Sequence, residues 1–257
     1  MRTSIFAPLF LLAACSAGAV GNEGARPMSD RSLEVGEFDS VAVEGSYHVV
    51  VHVGERSAVR AEGDSVAVER LDVRVENGTL MIAPRRNMLD FRSFGRGATV
   101  HVSAPALDGA FLAGSGTMRV DRVQSQAFEA AVRGSGGLQI EEVRAGQAEF
   151  SLSGSGSVQI DALEAAQFDA ALSGSGSLRA VGTAETSRVS VNGSGSASLA
   201  QLQTRRTSVA ASGSGSVAVQ GSEAVDGSLS GSGSVTVHGS ARCSISRSGS
   251  GRLRCGT

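Results

Sequence analysis

Acids, arginines and cysteines are the side chains whose spacing in this chain could support chemistry. Asp121, Glu141 and Asp161 recur every 20 residues, and Glu129, Glu149 and Asp169 follow eight positions later at the same step. If the chain returns on itself with that period, each trio forms an outward column of carboxylates with rungs about 4.8 Å apart. Like charges stacked in this way cost roughly a few tenths of a kcal/mol each unless compensated. A divalent cation such as Ca²⁺, or Arg119, Arg122, Arg133 and Arg144 nearby, would compensate them. Two readings stay open: a cation or saccharide surface at Asp121, Glu141 and Asp161, and acids that keep a sheet surface soluble and block lateral pairing.

A second candidate is Arg92 with Arg96. They lie in the least repetitive stretch, residues 84–96, which holds four Arg against one Asp together with Phe91 and Phe94. That composition suits a contact surface for an acidic polymer or partner, and equally a solvated loop whose phenylalanines tuck under the fold. The histidines offer less. His48 and His52 lie on one side of an extended run with Cα atoms about 13 Å apart, too far to share an ion. His101 and His238 are isolated. No Gly-x-Ser-x-Gly elbow and no Gly-x-Gly-x-x-Gly occurs, and the Asp of calcium-binding Gly-Gly-x-Gly-x-Asp repeats is missing. No catalytic, cofactor or metal site is expected.

The elements that position these residues are repeats. Gly-Ser-Gly cores begin at Gly114, Gly134, Gly154, Gly174, Gly193, Gly213, Gly231 and Gly249. A nearly fixed period of about 20 residues means stacked units, each burying its apolar side against its neighbours. Within Leu172–Leu178, residues Leu172, Gly174, Gly176 and Leu178 share one face and Ser173, Ser175 and Ser177 the other. That is strand alternation. It predicts an all-β chain, one coil of a parallel β-helix per repeat, with glycines where the walls approach or the chain bends. The strict period and the apolar flanks argue against a flexible Gly/Ser linker.

Composition agrees. The 257 residues are 41% hydrophobic but only 4% aromatic, with no Trp and one Tyr, which suits a narrow core of Val, Leu and Ala. All 23 basic residues are Arg, so lysine chemistry is absent. A net charge of −2 without a large basic cluster argues against nucleic acid as a partner.

Residues 1–14 read as a signal: Arg2, an apolar run from Ile5 to Leu12, then Leu12-Ala-Ala-Cys15. This ending resembles the bacterial lipobox, which implies cleavage before Cys15 and a lipid on its thiol. By resemblance to sorted lipoproteins of double-membrane bacteria, Ser16 after it implies the outer membrane, facing the periplasm or the exterior. Residues 15–32 are expected to be a flexible tether. One domain, 33–257, follows, with irregular coils over 33–110 and Gly-Ser-Gly coils over 111–257. In the irregular part, residues 38–43, 47–53, 71–75 and 79–83 read as strands, Asn77-Gly78 as a tight turn, and residues 65–70 as a helical turn. The last coil departs from the pattern, with Arg247 where others hold Leu or Val. Cys243 and Cys255, 12 residues apart on one side of that coil in an exported chain, are expected to form a disulfide that seals it.

Phe38-x-x-Val-x-Val, Gly78-Thr-Leu-x-Ile, Val100-x-Val before Pro105-x-Leu, and then the Gly-Ser-Gly coils resemble a bacterial family from Leu33 to the C-terminus. The family is named the putative auto-transporter adhesin, head GIN domain. The resemblance implies a right-handed parallel β-helix in a secreted or lipid-anchored protein and carries no catalytic residues. The functional expectation is a non-enzymatic, envelope-anchored structural or adhesion-like module. Its expected partners are the membrane through Cys15, and envelope polysaccharide or another envelope protein. Two rivals remain: a polysaccharide lyase or hydrolase, since β-helices host both, and a signalling module that binds a protein at its exposed strand edges.

Overall fold

A computed structural model of the chain describes residues 28–54, 56–85 and 98–256. Its regular part is a right-handed parallel β-helix of about 7 turns. Strands β9 (Thr117–Gly134), β10 (Gly137–Gly154), β11 (Ser157–Gly174), β12 (Ser177–Gly193), β13 (Ser196–Gly213) and β14 (Ser216–Gly231) are each nearly one whole coil. The last coils are split into β15 (Ser234–His238), β16 (Arg242–Ser248) and β17 (Arg252–Cys255).

Coils stack in parallel, like residue on like. One inward column runs Met118, Leu138, Val158, Leu178, Ala197, Val217, Val235, Leu253. Aromatic rings enter the core as a zigzag. Phe128, Ala148 and Phe168 share one column, and Ala130, Phe150 and Ala170 share the next but one position along the wall. Each ring therefore sits over a methyl group and beside the ring of the next coil. The centroids of Phe128 and Phe150 are 5.9 Å apart, edge to face, and those of Phe150 and Phe168 are 5.7 Å apart. Beyond Phe168 the column turns polar, through Ser187 and Thr207. Both are buried and satisfied: Ser187 Oγ is 2.8 Å from Thr207 Oγ1, which lies 2.6 Å from Thr204 Oγ1.

The Gly-Ser-Gly corner is the fixed hinge of every coil. Gly174 has φ +113°, and a Cβ there would lie 2.5 Å from the carbonyl oxygen of Gly154 one coil below. At Gly176 a Cβ would meet Gly156 O at 2.6 Å and Leu152 Cδ2 at 2.7 Å. The first glycine supplies the left-handed backbone and both supply closeness. That closeness keeps the hydrogen-bond ladder unbroken round the bend: Ser175 N and Gly176 N donate to Gly154 O at 2.9 and 3.0 Å, and Ser177 N donates to Gly156 O at 3.0 Å.

The N-terminal region holds one more such corner, in a segment expected to lack the signature. Strands β2 (Ser40–Gly45) and β3 (His48–Val53) are joined by Gly45-Ser46-Tyr47. Ser115 N and Gly116 N donate to Gly45 O, and Thr117 N donates to Tyr47 O, as in the later coils. Below this coil the stack is closed by antiparallel pieces. Strand β4 (Ala58–Asp64) pairs antiparallel with β1 (Met28–Leu33) and with β7 (Ala98–Ala104). Strands β5 (Leu71–Glu76) and β6 (Thr79–Pro84) form a hairpin whose turn places Asn77 at φ 50° and Gly78 at φ 77°. A short helix, α1 (Ser65–Glu69), is capped by Asp64, whose carboxylate accepts from Val66 N. Strand β8 (Gly109–Gly114) returns the chain to the regular coils. Residues 28–32, expected within the tether, instead belong to β1: their backbone finds partners along β4, which composition alone did not show.

Candidate functional site

Strand alternation does not carry through a whole coil. In β9 both Val120 and Val123 are buried, with Asp121 and Arg122 turned outward between them, so the chain bends there. Asp121, Glu141 and Asp161 thus stand along a corner rather than on a flat wall. Each has its own surroundings. Asp121 Oδ1 accepts from Val53 N at 2.9 Å and Arg122 N at 2.6 Å, and its Oδ2 lies 3.5 Å from His52 Nδ1. It therefore ties the end of β3 to the first full coil. Asp161 accepts from Gln139 Nε2 at 3.1 Å and Gln159 Nε2 at 2.7 Å, while Glu141 is exposed. In the second column Asp169 accepts from Gln167 and faces Arg188 of the next coil at 3.3 Å. Among the described residues no three His, Cys, Asp or Glu side chains are gathered so as to hold a metal ion.

His48 Nδ1 lies 2.7 Å from Thr117 Oγ1, and His101 Nε2 lies 3.2 Å from Glu62 Oε1, so these histidines make separate local contacts. Cys243 and Cys255 are joined in a disulfide, with Cα atoms 6.2 Å apart. Arg92, Arg96 and Cys15 lie outside the described residues.

The feature that sequence reasoning missed is a groove parallel to the helix axis. Its floor is a column of small side chains, Ala145, Ala165, Ala184, Thr204 and Gly221, stacked in register. Five rungs span about 19 Å. Glu164, Thr183, Gln203 and Gln220 form one rim, also in register. Ala166, Glu185 and Arg205 line the other. Two adjoining depressions of about 410 and 360 Å³ share Thr183, Ala184 and Arg205, which makes the groove continuous.

Its origin is local. Nearly all the changes in coil length are absorbed on this side, where the pairing shifts between Ile160 and Leu163, between Arg179 and Val181, between Leu199 and Gln203 and between Thr204 and Arg206. Gly182 permits one of these irregularities, with φ +136° and a missing Cβ that would collide with Leu163 O. The sequence signal was the uneven repeat step, together with Ala145, Ala165 and Ala184 ten or eleven residues after the first glycine of three successive Gly-Ser-Gly cores.

The rim is charged and pre-set. Arg205 Nε and Nη2 donate to Glu223 Oε1 at 2.8 and 2.6 Å, and Arg206 lies 3.5 Å from Glu223 Oε2. The hydrogen bond from Arg205 holds the Glu223 carboxyl below the usual carboxylate range. Beneath the rim Thr204 Oγ1 donates to Gln220 O at 2.6 Å, which fixes the floor to the next coil. Such a surface offers amides, hydroxyls and one anchored guanidinium to an extended polar chain. It presents no acid/base pair enclosed in a cleft.

A parallel β-helix with an antiparallel cap and a shallow axial groove is the class of protein that these features define. The chain belongs to the family described as putative auto-transporter adhesin, head GIN domain, whose family model matches residues 37–241. Three solved structures share the fold. One, described as a putative adhesin from Parabacteroides distasonis, has a TM-score of 0.83 at 19% identity over 90% of this chain and 98% of its own. A putative adhesin from Parabacteroides merdae has a TM-score of 0.82 at 14% identity, covering 90% and 96%. A structure described as a putative lipid binding protein from Parabacteroides distasonis has a TM-score of 0.79 at 22% identity, covering 90% and 97%. No curated protein matches the chain. No helix among the described residues is long and apolar enough to cross a membrane.

Proposed function

We propose that this chain is a non-enzymatic, adhesion-like binding module of the bacterial envelope, held by a lipid on Cys15, that takes an extended polysaccharide along its axial groove. The observation that carries the reading is the groove itself: a trough with a floor of small side chains and polar rims, whose rungs repeat about every 4.8 Å, as a periodic polymer would require. The descriptions of the family and of its structural neighbours as adhesins support a binding role. Envelope attachment rests on the lipobox-like Leu12-Ala-Ala-Cys15.

Binding of the full chain to a panel of envelope polysaccharides tests this. Thr183 is exposed on the rim, so Thr183→Arg obstructs the trough without touching the core. Saturable binding that weakens about tenfold or more in this variant is expected, since such a side chain displaces several hydrogen bonds at once. Unchanged binding in Thr183→Arg, with loss in a variant carrying Asp121→Asn, Glu141→Gln and Asp161→Asn, would move the site to the acid corner. No binding to any polysaccharide would overturn the reading.

A second reading has its own observation. A depression of about 710 Å³ at the base is lined by Leu33, Val35 and Val59 beside His52, Arg60 and His101. Its apolar wall, and one neighbour's description as a lipid binding protein, favour capture of an acyl chain. Absence of fatty acid from protein extracted under native conditions, and no uptake of a fluorescent fatty acid, would dismiss it.

A further inference from the structure

The wall of the helix sinks where the ring zigzag stops. Phe168 is followed in its column by Ser187 and Thr207, and a depression of about 260 Å³ lies over these two residues. Interiors pack without voids, so smaller inward side chains draw the wall in. Thr204 and Thr207 are both buried with their hydroxyl oxygens 2.6 Å apart, and between them Arg205 and Arg206 turn outward as a ridge. Arg205 borders the axial groove on one side, and Arg206 borders the depression on the other.

Two outward columns furnish the depression. One runs Asp169, Arg188, Ser208, Asp226, and the other runs Gln167, Thr186, Arg206. Thr186 and Arg188 lie two apart on β12, and Arg206 and Ser208 stand over them on β13. Two hydroxyls and two guanidiniums therefore alternate round a square whose sides are about 5 and 7 Å between Cα atoms. Asp169 and Asp226 close the square at either end, three rungs or about 14 Å apart. Asp169 is an acceptor already set in place. Its side chain is only 18% exposed, with Gln167 Nε2 donating to one oxygen at 2.6 Å and Arg188 Nη1 to the other at 3.3 Å. Asp226 is exposed.

The balance of charge selects the class of ligand. Arg188 is matched by Asp169, and Arg206 lies 3.5 Å from Glu223. An anion would compete with these acids and approach Asp226, while a cation would meet the two guanidiniums. A neutral polyol meets neither conflict. Each of its hydroxyls both donates and accepts, so it uses carboxylates and guanidiniums together, in the stronger, charge-assisted kind of hydrogen bond. A volume of about 260 Å³ lies just below the range of drug-sized pockets and holds one sugar ring rather than a chain. We infer that this depression is a second carbohydrate site, which takes a single neutral pyranose unit. Asp169 and Asp226 accept from its hydroxyls, and Arg188 and Arg206 donate to them. The ridge separates it from the axial groove, and it does not rest on the groove being occupied.

Titration of the full chain with the methyl pyranosides of glucose, galactose and mannose, followed through amide shifts in NMR, tests this. Glucuronate and glycine are the anionic and zwitterionic controls. At least one methyl pyranoside is expected to shift the amides of residues 186–188, 206–208 and 226 saturably, with glucuronate and glycine at least about tenfold weaker. Ser208→Arg fills the depression, and Asp226→Asn removes a charged acceptor. Both residues are exposed, so each variant should keep the parent's melting temperature while losing about tenfold or more in affinity. Thr183→Arg, beyond the ridge, keeps the parent's affinity. Absence of a saturable shift with all three pyranosides overturns the inference. Tighter binding of glucuronate or glycine overturns it too, by making this a site for charged groups. Parent-like affinity in Ser208→Arg and Asp226→Asn, or its loss in Thr183→Arg, does the same.

Discussion

Single residues control this fold where the backbone of one coil meets that of the next. Gly174 combines φ +113° with a Cβ position 2.5 Å from Gly154 O, so Gly174→Ala meets both strain and collision. Backbone conformation alone is worth roughly 1–3 kcal/mol, and the blocked approach adds to it. A drop in melting temperature of several degrees is expected by calorimetry. Gly36→Ala is the control, because nothing lies within 4 Å of its Cβ position, and it should melt with the parent. Ionisation also acts residue by residue. The Glu223 carboxyl, held low by Arg205, contributes stability that is complete above its unfolded value and is lost as pH falls through its folded one. Glu223→Gln should flatten the acid limb of the melting profile. As the pair is exposed, added salt should shrink the difference between the two proteins.

At the scale of elements, the ring zigzag fills the middle of the core and the terminal disulfide closes its end. Phe150 is fully buried between Phe128 and Phe168, with alanines above and below its own column. Phe150→Ala opens a cavity bounded by stacked backbone that has little room to collapse. A loss of about 3–5 kcal/mol is expected in denaturant unfolding. At the C-terminal end the core meets water behind Cys243, Ile245 and Leu253, which are only half-buried. The disulfide between Cys243 and Cys255 closes a short loop there. Replacing both by Ser should cost about 2–3 kcal/mol on the chain-entropy account. Faster hydrogen exchange in β16 and β17, with β10 and β11 unchanged, would locate that loss at the end coil.

The whole molecule is a one-dimensional stack, and its response to a change of length should show this. Residues 157–176 are one coil of 20 residues, and their removal brings Ser177 directly after Gly156, where Ser157 stood. The inward columns stay in phase, with Leu178 arriving over Leu138. The deletion variant should remain folded with an unchanged β spectrum in circular dichroism. It should be shorter by about 4.8 Å in small-angle scattering and melt at a lower temperature, since two stacking interfaces become one. An unfolded product would contradict the additive picture. The same stacking sets the possible functions, because every outer side chain repeats along the axis and the binding surfaces are columns or ends.

The period, the Gly-Ser-Gly hinges, the all-β class and the pairing partner of Cys243 were legible in the chain because each depends on residues near in sequence or on strict repetition. Asn77-Gly78 was likewise readable as a turn, since two left-handed residues in succession have few other uses. The corner at Gly45-Ser46-Tyr47 was hidden because Tyr47 replaces the second glycine. The inward phase of Val123 was hidden because the chain bends at Asp121 and Arg122, where strand parity resets. For the same reason the alanine floor of the groove looked like ordinary spacing until the coils were stacked. Asp121 could be counted as an outward acid, but its bond to Val53 N joins residues 68 apart. Local alternation determines which face of a strand is apolar. Which corners align and how deep the trough between them is depend on register between coils, and tertiary structure alone decides that.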